Sequence, residues 1–255
     1  MNKTLPSVPV CNIIGVNIAA INISRAVLYV NDYLEKLSGE YICISNVHTT
    51  VMSYDNPNYR VIQNKAVLAL PDGNPLSVIC RSRGFKETER IAGPDFMHKL
   101  FILSIKRGYS HFFYGSSPET LEKLRSRLSE RYPGLKIAGM FSPPFCEMSP
   151  EEDKIITDNI NSFRADIIWV GLGAPKQEIW MSHHRGKLHG LMIGVGAGFD
   201  YFAGNIKRAP AWMQACSLEW LYRLCQEPKR LFKRYLYTNT KFLWLLVKDK
   251  FGHGD

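Results

Sequence analysis

Apolar positions along the chain fall into two patterns that alternate. Short runs rich in branched and aromatic residues occupy 41–45, 66–70, 111–115, 136–139, 167–171 and 191–195, the length and composition of strands buried on both faces. Between them, apolar residues recur at helical spacing over 24–37, 94–107, 118–131, 150–163 and 175–185. The first of these stretches opens on Ser24, a helix N-cap residue by type. The other four begin on a proline, whose fixed φ and missing N–H suit the first helical position. Strands and helices in alternation predict an α/β fold, a Rossmann-like, mostly parallel sheet with helices on both faces. Ligands in such sheets sit beyond the carboxyl ends of the strands, so chemistry is expected in the segments that follow them.

Those segments are short and rich in glycine. They read Asn46-Val47-His48-Thr49, Pro71-Asp72-Gly73-Asn74-Pro75, Gly115-Ser116-Ser117-Pro118, Gly171 through Glu178, and Gly194 through Asp200. Glycine lets backbone N–H groups approach a ligand, and a helix start directly behind offers a phosphate site. Pro71-Asp72-Gly73 is ordinary turn chemistry. A carboxylate at a strand's carboxyl end can also serve an acceptor hydroxyl as general base. Lys176, Gln177 and Glu178 would be either a solvated first turn or contacts to a sugar or diphosphate. Gly171-x-Gly173 meets Lys176, and Gly194-x-Gly196 meets Phe199, where a dinucleotide fingerprint requires glycine. A nicotinamide enzyme is therefore disfavoured. His48, His183 and His184 lack a third ligand at useful spacing and read as structural. No Asp-x-Asp occurs, so neither a metal nor another cofactor is expected. Charge on a leaving group would fall to fixed cations and backbone donors.

Composition adds a location. With 255 residues, 45% apolar and 22% charged, the chain can bury a core and is not disordered. The N-terminus lacks a signal-peptide pattern, and the longest clean apolar run, 242–247, cannot span a bilayer. Cys11, Cys43, Cys80, Cys146, Cys216 and Cys225 are scattered without a paired motif, as free thiols in a reducing compartment would be. The expectation is a cytoplasmic body. Net charge is +9, and residues 204–255 hold ten Lys/Arg against four Asp/Glu. This divides the chain into an α/β core, 1–203, and a basic appendage, 204–255. Projected at a helical 100° per residue, Arg230, Lys233, Arg234, Lys241 and Lys248 share one face. Leu231, Phe232, Tyr235, Leu236, Phe242, Leu243, Leu246 and Val247 lie opposite, with Tyr237 and Trp244 toward the basic side. A basic amphipathic helix of this kind predicts contact with an anionic membrane from the inner face. A nucleic-acid-binding protein would share the charge but leaves the apolar face unexplained.

Taken in order, the blocks resemble a known family. Asn46-Val47-His48-Thr49, Leu70-Pro71-Asp72-Gly73, Glu89 through Asp95, Trp169 through Glu178, Gly194 through Asp200, Lys207-Arg208-Ala209-Pro210, Leu218 through Leu224 and Glu227-Pro228-x-Arg230 are similar to the WecG/TagA/CpsF glycosyltransferases. The resemblance implies an inverting, metal-independent enzyme. It would take a UDP-sugar donor and a polyprenyl-diphosphate-linked sugar acceptor, undecaprenyl above all, to build a wall polymer, a common antigen or an exopolysaccharide. It implies Asp72 as general base, and Asn46, Arg90 and Gln177 as contacts to the donor sugar or its diphosphate. Asp200 would contact the nucleotide, and Arg223, Arg230 and Lys233 would hold the acceptor diphosphate at the membrane. Where some members carry Thr two residues before the Asn, this chain has Ile44. The corresponding polar contact is absent or supplied by Ser45 or Cys43, so N-acetylmannosamine specificity does not transfer directly. Donor sugar, acceptor sugar and a homo-oligomeric state stay open.

Overall fold

The computed structural model describes residues 5–251 except Phe145, Glu147, Cys216 and Ser217. The chain opens with a hairpin, β1 (Val10–Ile13) and β2 (Val16–Ala19), which the sequence pattern did not predict. Its two-residue turn puts Ile14 at φ 51° and Gly15 at φ 84°; a β-branched residue is rarely found there. Next come α1 (Ile23–Tyr33), β3 (Tyr41–Ser45), α2 (Val47–Asp55), α3 (Pro57–Lys65), β4 (Leu68–Pro71) and α4 (Asn74–Ser82). The central stretch holds α5 (Gly93–Arg107), β5 (Ser110–Gly115), α6 (Pro118–Arg131), β6 (Lys136–Phe141) and α7 (Pro150–Ser162). The last part holds β7 (Ile167–Gly171), α8 (Lys176–His184), β8 (Leu191–Gly194), α9 (Gly198–Ala203), α10 (Ala211–Ala215), α11 (Glu219–Gln226) and α12 (Pro228–Phe251).

Six strands form one parallel sheet in the order β4-β3-β8-β7-β5-β6. Alternate side chains supply its two faces, as the pleat requires. Ile42, Ile44, Phe113, Trp169 and Ile193 point into a core shared with α1, α5, α6 and α9. Tyr41, Cys43, Tyr114, Ile168 and Met192 point into another, shared with α7 and α8. The hairpin, α4 and α12 close a third cluster over β4. The α/β architecture with helices on both faces is therefore as expected.

Several local expectations need correcting. The first helix is capped by Asn22, which accepts the Arg25 N–H at 2.9 Å, and not by Ser24. It ends at Tyr33, and a 3₁₀ turn, Leu34–Leu37, completes the stretch. Asn46 through Thr49 is a capping box and the first turn of α2, where a loop was expected. Cys11, Cys43, Cys80, Cys146 and Cys225 are free thiols; Cys216 lies outside the described residues.

The tail helix divides its apolar residues between two directions. Leu231, Phe242 and Leu245 are buried, the latter two in the cluster with the hairpin and α4, and Leu246 packs partly against that cluster. Phe232, Leu236, Leu243 and Val247 are more than half exposed. The single apolar face of the projection is thus split into a docked side and an open stripe. No helix among the described residues is long and apolar enough to cross a membrane.

Candidate active site

The carboxyl ends of β4, β3, β8 and β7 lie side by side, and each delivers one part of the site. Asp72 follows β4, with its N–H donated to the Ser45 carbonyl of the neighbouring strand at 2.7 Å. Gly73 at φ 89° then turns the chain into α4, a conformation glycine adopts without strain. Burial pushes the Asp72 carboxyl up to about 6, against the lowering effect of Arg90; Glu219 and Asp95 push it the same way as burial. About a third of the side chain, 31%, is exposed, so the group is both raised and accessible. Arg90 Nε stands 3.9 Å from Asp72 Oδ1, while its Nη2 pairs closely with Glu219 at the start of α11.

The two glycine loops are tied together by one side chain. Gln177, buried in the first turn of α8, accepts the Gly173 N–H at 3.2 Å and the Gly196 N–H at 2.9 Å on Oε1. Its Nε2 donates to Glu178 Oε1 at 2.8 Å. Glu178 is fully buried, and burial raises its carboxyl. Tyr59 lies beside it, and the chain of polar contacts continues through Gln63 Nε2 to the Tyr59 hydroxyl at 2.9 Å, then from Ser45 Oγ to Gln63 Oε1 at 2.6 Å. The Gln177 amide, expected to meet the donor, is thus committed to shaping the loops. Gly171 serves packing as well: a Cβ there would lie 2.6 Å from the Phe199 ring.

A cavity of about 630 Å³ opens between these loops and α11. Gly173, Gly196, Asp200, Arg223, Glu227 and Arg230 are among its walls. Asp200, in the first turn of α9, accepts from Asn205 Nδ2 at 3.1 Å. Arg223 donates to the Tyr201 hydroxyl at 2.9 Å and pairs with Glu227 at 3.1 Å; Glu227 also holds Arg230. With the Gly173 and Gly196 N–H groups held by Gln177, the guanidinium groups of Arg223 and Arg230 are what suits an anionic ligand such as a diphosphate.

The remaining expected residues take distinct places. Asn46 accepts the Thr49 N–H at 3.2 Å, so its carbonyl oxygen caps α2 beside the Asp72 strand. Lys233 is exposed on α12 and is not among the cavity walls. Ser45 and Cys43 are fully buried, with the Ser45 hydroxyl on Gln63. His48 is pushed down to about 4 by burial and then by Arg234, which keeps it neutral. His184 stacks on Trp180 and stands 3.2 Å from Asp153, a packed structural residue. Glu219, Arg208 and Asp95 were missed as chemistry-bearing. Their only sequence signal was membership of the resembling blocks, since their meeting depends on how α11 folds back. Among the described residues, no three His, Cys, Asp or Glu side chains gather as a metal site requires.

Comparison with known proteins bears on most of the chain. The model of the glycosyl transferase WecG/TagA/CpsF family matches residues 11–255. Similar curated proteins are two N-acetylglucosaminyldiphosphoundecaprenol N-acetyl-beta-D-mannosaminyltransferases, from Bacillus spizizenii and from Bacillus subtilis. Each is 30% identical over 219 residues, which is 86% of this chain and 82% or 83% of the relative.

Proposed function

Because the chain belongs to the WecG/TagA/CpsF family of glycosyl transferases, we propose that it moves one sugar from a UDP-sugar to the sugar of an undecaprenyl-diphosphate-linked acceptor, with inversion at the anomeric carbon. The activity for which the two relatives are named supports a lipid-diphosphate acceptor carrying N-acetylglucosamine. The donor sugar is N-acetylmannosamine, glucose or a close analogue, and the product feeds a wall polymer or exopolysaccharide.

The observation that carries this reading is a raised, accessible carboxyl at Asp72 held in one assembly with the cavity through α11. That helix brings Glu219 to Arg90 and Arg223 to the cavity wall, one helical turn apart. In the proposed reaction the donor diphosphate lies across the Gly173 and Gly196 loops, with Asp200 toward the nucleotide. Asp72 accepts the acceptor hydroxyl proton as that oxygen attacks the anomeric carbon. The bond to the UDP oxygen breaks on the opposite side, and Arg223 meets the departing charge. Arg230 and Lys233 attract the acceptor diphosphate, and Asn46 and Arg90 border the sugar. Fixed cations supply what a metal would supply, so the enzyme works without one.

UDP-sugars offered singly with a lipid-diphosphate-GlcNAc or -Glc acceptor, in EDTA and with products read by mass, test this. One donor should add a single hexosamine or hexose. Failure of every UDP-sugar, or activity lost in EDTA and restored by Mg²⁺ or Mn²⁺, would overturn the donor or the metal-free chemistry respectively.

A further inference from the structure

Four charged side chains from four segments meet beside Asp72. Arg90 comes from the segment after α4, Asp95 from the first turn of α5, Arg208 from the segment after α9, and Glu219 from α11. Arg208 grips Asp95 with two nitrogens, one of them 2.6 Å from Oδ1, and its Nε lies 3.8 Å from Glu219 Oε1. Glu219 closes on Arg90 with its other oxygen. The groups that bear on Asp72 are therefore Arg90, Glu219, Asp95, its own Gly73 N–H, and Tyr201 of α9. Asp95 is already neutralised by Arg208. Glu219 is the acid left to answer Arg90.

We propose that Glu219 is a positioning residue for the transfer reaction, holding the Arg90 guanidinium off Asp72 so that the carboxylate stays free to accept the acceptor's proton. The role rests on Asp72 being the base. An arginine in direct contact with a carboxylate drops its pKa by roughly 1–3 units and weakens it as a base. At 3.9 Å Arg90 Nε is near enough to make that contact by a small rotation, and its pairing with Glu219 works against the move.

The test compares pH profiles of kcat/KM for wild type, Glu219→Gln, Glu219→Asp and Asp72→Asn, alongside UDP dissociation constants. Loss of the Glu219 charge removes one influence that raises the Asp72 carboxyl and frees Arg90 to lower it, so both act in one direction. Glu219→Gln should move the acid limb down by about one pH unit or more and cut kcat at pH 8 on the order of tenfold, with UDP binding unchanged. Glu219→Asp should restore most of both. A folded fraction that is constant over the pH range leaves the midpoint of a profile unmoved, so a partly unstable variant still reads out once melting temperatures at each pH show that constancy. A variant that loses rate with the limb unmoved would make Glu219 a mere tie for α11 and overturn the proposal. A wild-type profile in Glu219→Gln would overturn it too. Wild-type turnover by Asp72→Asn would instead sink the base itself, a result separable from either.

Discussion

Burial raises two carboxyls of the site, and their surroundings give them different duties. Asp72 has a cation 3.9 Å away and a partly exposed side chain, so it can lose its proton near pH 6 and act as a base above it. A profile of kcat/KM for wild type should therefore rise through about pH 6; a profile flat from pH 5 to 8 would remove Asp72 from that role. Glu178 is fully buried and answers to Gln177 and Tyr59, with no basic group among the influences on it. The folded state holds its proton more tightly than the unfolded chain does. Stability it contributes at low pH is thus lost as pH rises through its raised folded value. Glu178→Gln keeps an acceptor for the Gln177 amide and escapes that loss. Its melting temperature should gain on wild type as pH rises, with the donor KM unchanged. Glu178→Leu leaves the Gln177 NH₂ unanswered and free to flip against two N–H donors. Removing such a buried bond costs about 1–3 kcal/mol, and donor KM should rise roughly tenfold. None of this network was legible beforehand: Gln177 and Glu178 read either as a solvated first turn or as contacts to a sugar or diphosphate, and only the closeness of β7 and β8 turns them inward.

Among the elements, α12 carries the most testable division of labour. Phe242 and Leu245 are 3% exposed in the cluster with the hairpin, whereas Phe232, Leu236, Leu243 and Val247 are 57%, 60%, 64% and 56% exposed. Beside the open stripe stand Lys233 and Lys248, both exposed, with Lys248 over the Trp244 ring. Lys241 is tied to Asp55 on α2 and Arg230 to Glu227. An apolar stripe bordered by cations fits an anionic leaflet, where each free Lys or Arg adds about 1 kcal/mol that salt screens. Replacing Phe232, Leu236, Leu243 and Val247 by Ser should abolish flotation with anionic vesicles and leave the melting temperature nearly unchanged. Phe242→Ala should do the reverse, destabilising the fold by about 3–5 kcal/mol while the folded fraction still floats. Unchanged flotation in the quadruple variant would mean that α12 only packs on its own protein. Helical projection gathered the cations on one face but did not foresee that Lys241 turns to Asp55 on α2 while Lys233 and Lys248 stay exposed. It could not divide the apolar ones between core and surface, because that depends on where α2 and the hairpin stand.

Across the whole molecule, the features most visible in the sequence were those set by local pattern. The strands Tyr41–Ser45 and Ile167–Gly171 coincide with the apolar runs to the residue, since a parallel strand buried on both faces must be continuously apolar. The hairpin escaped because its turn lacks the Asn-Gly signal, and α2 to α4 because nine-residue helices barely exceed two turns of periodicity. Asp72 was found by placement at a strand end, whereas Glu219 required the return of α11 across the sheet. The proposed reaction needs the core to offer a base and the return of α11 to offer cations, so its strictest test is on the base. The most direct measurement is the single-turnover rate of sugar transfer by Asp72→Asn against wild type, at pH 8 and saturating donor, with the UDP dissociation constant measured on the same samples. The expected result is a fall on the order of 10²–10⁴ in rate with UDP affinity unchanged; transfer at the wild-type rate would contradict it.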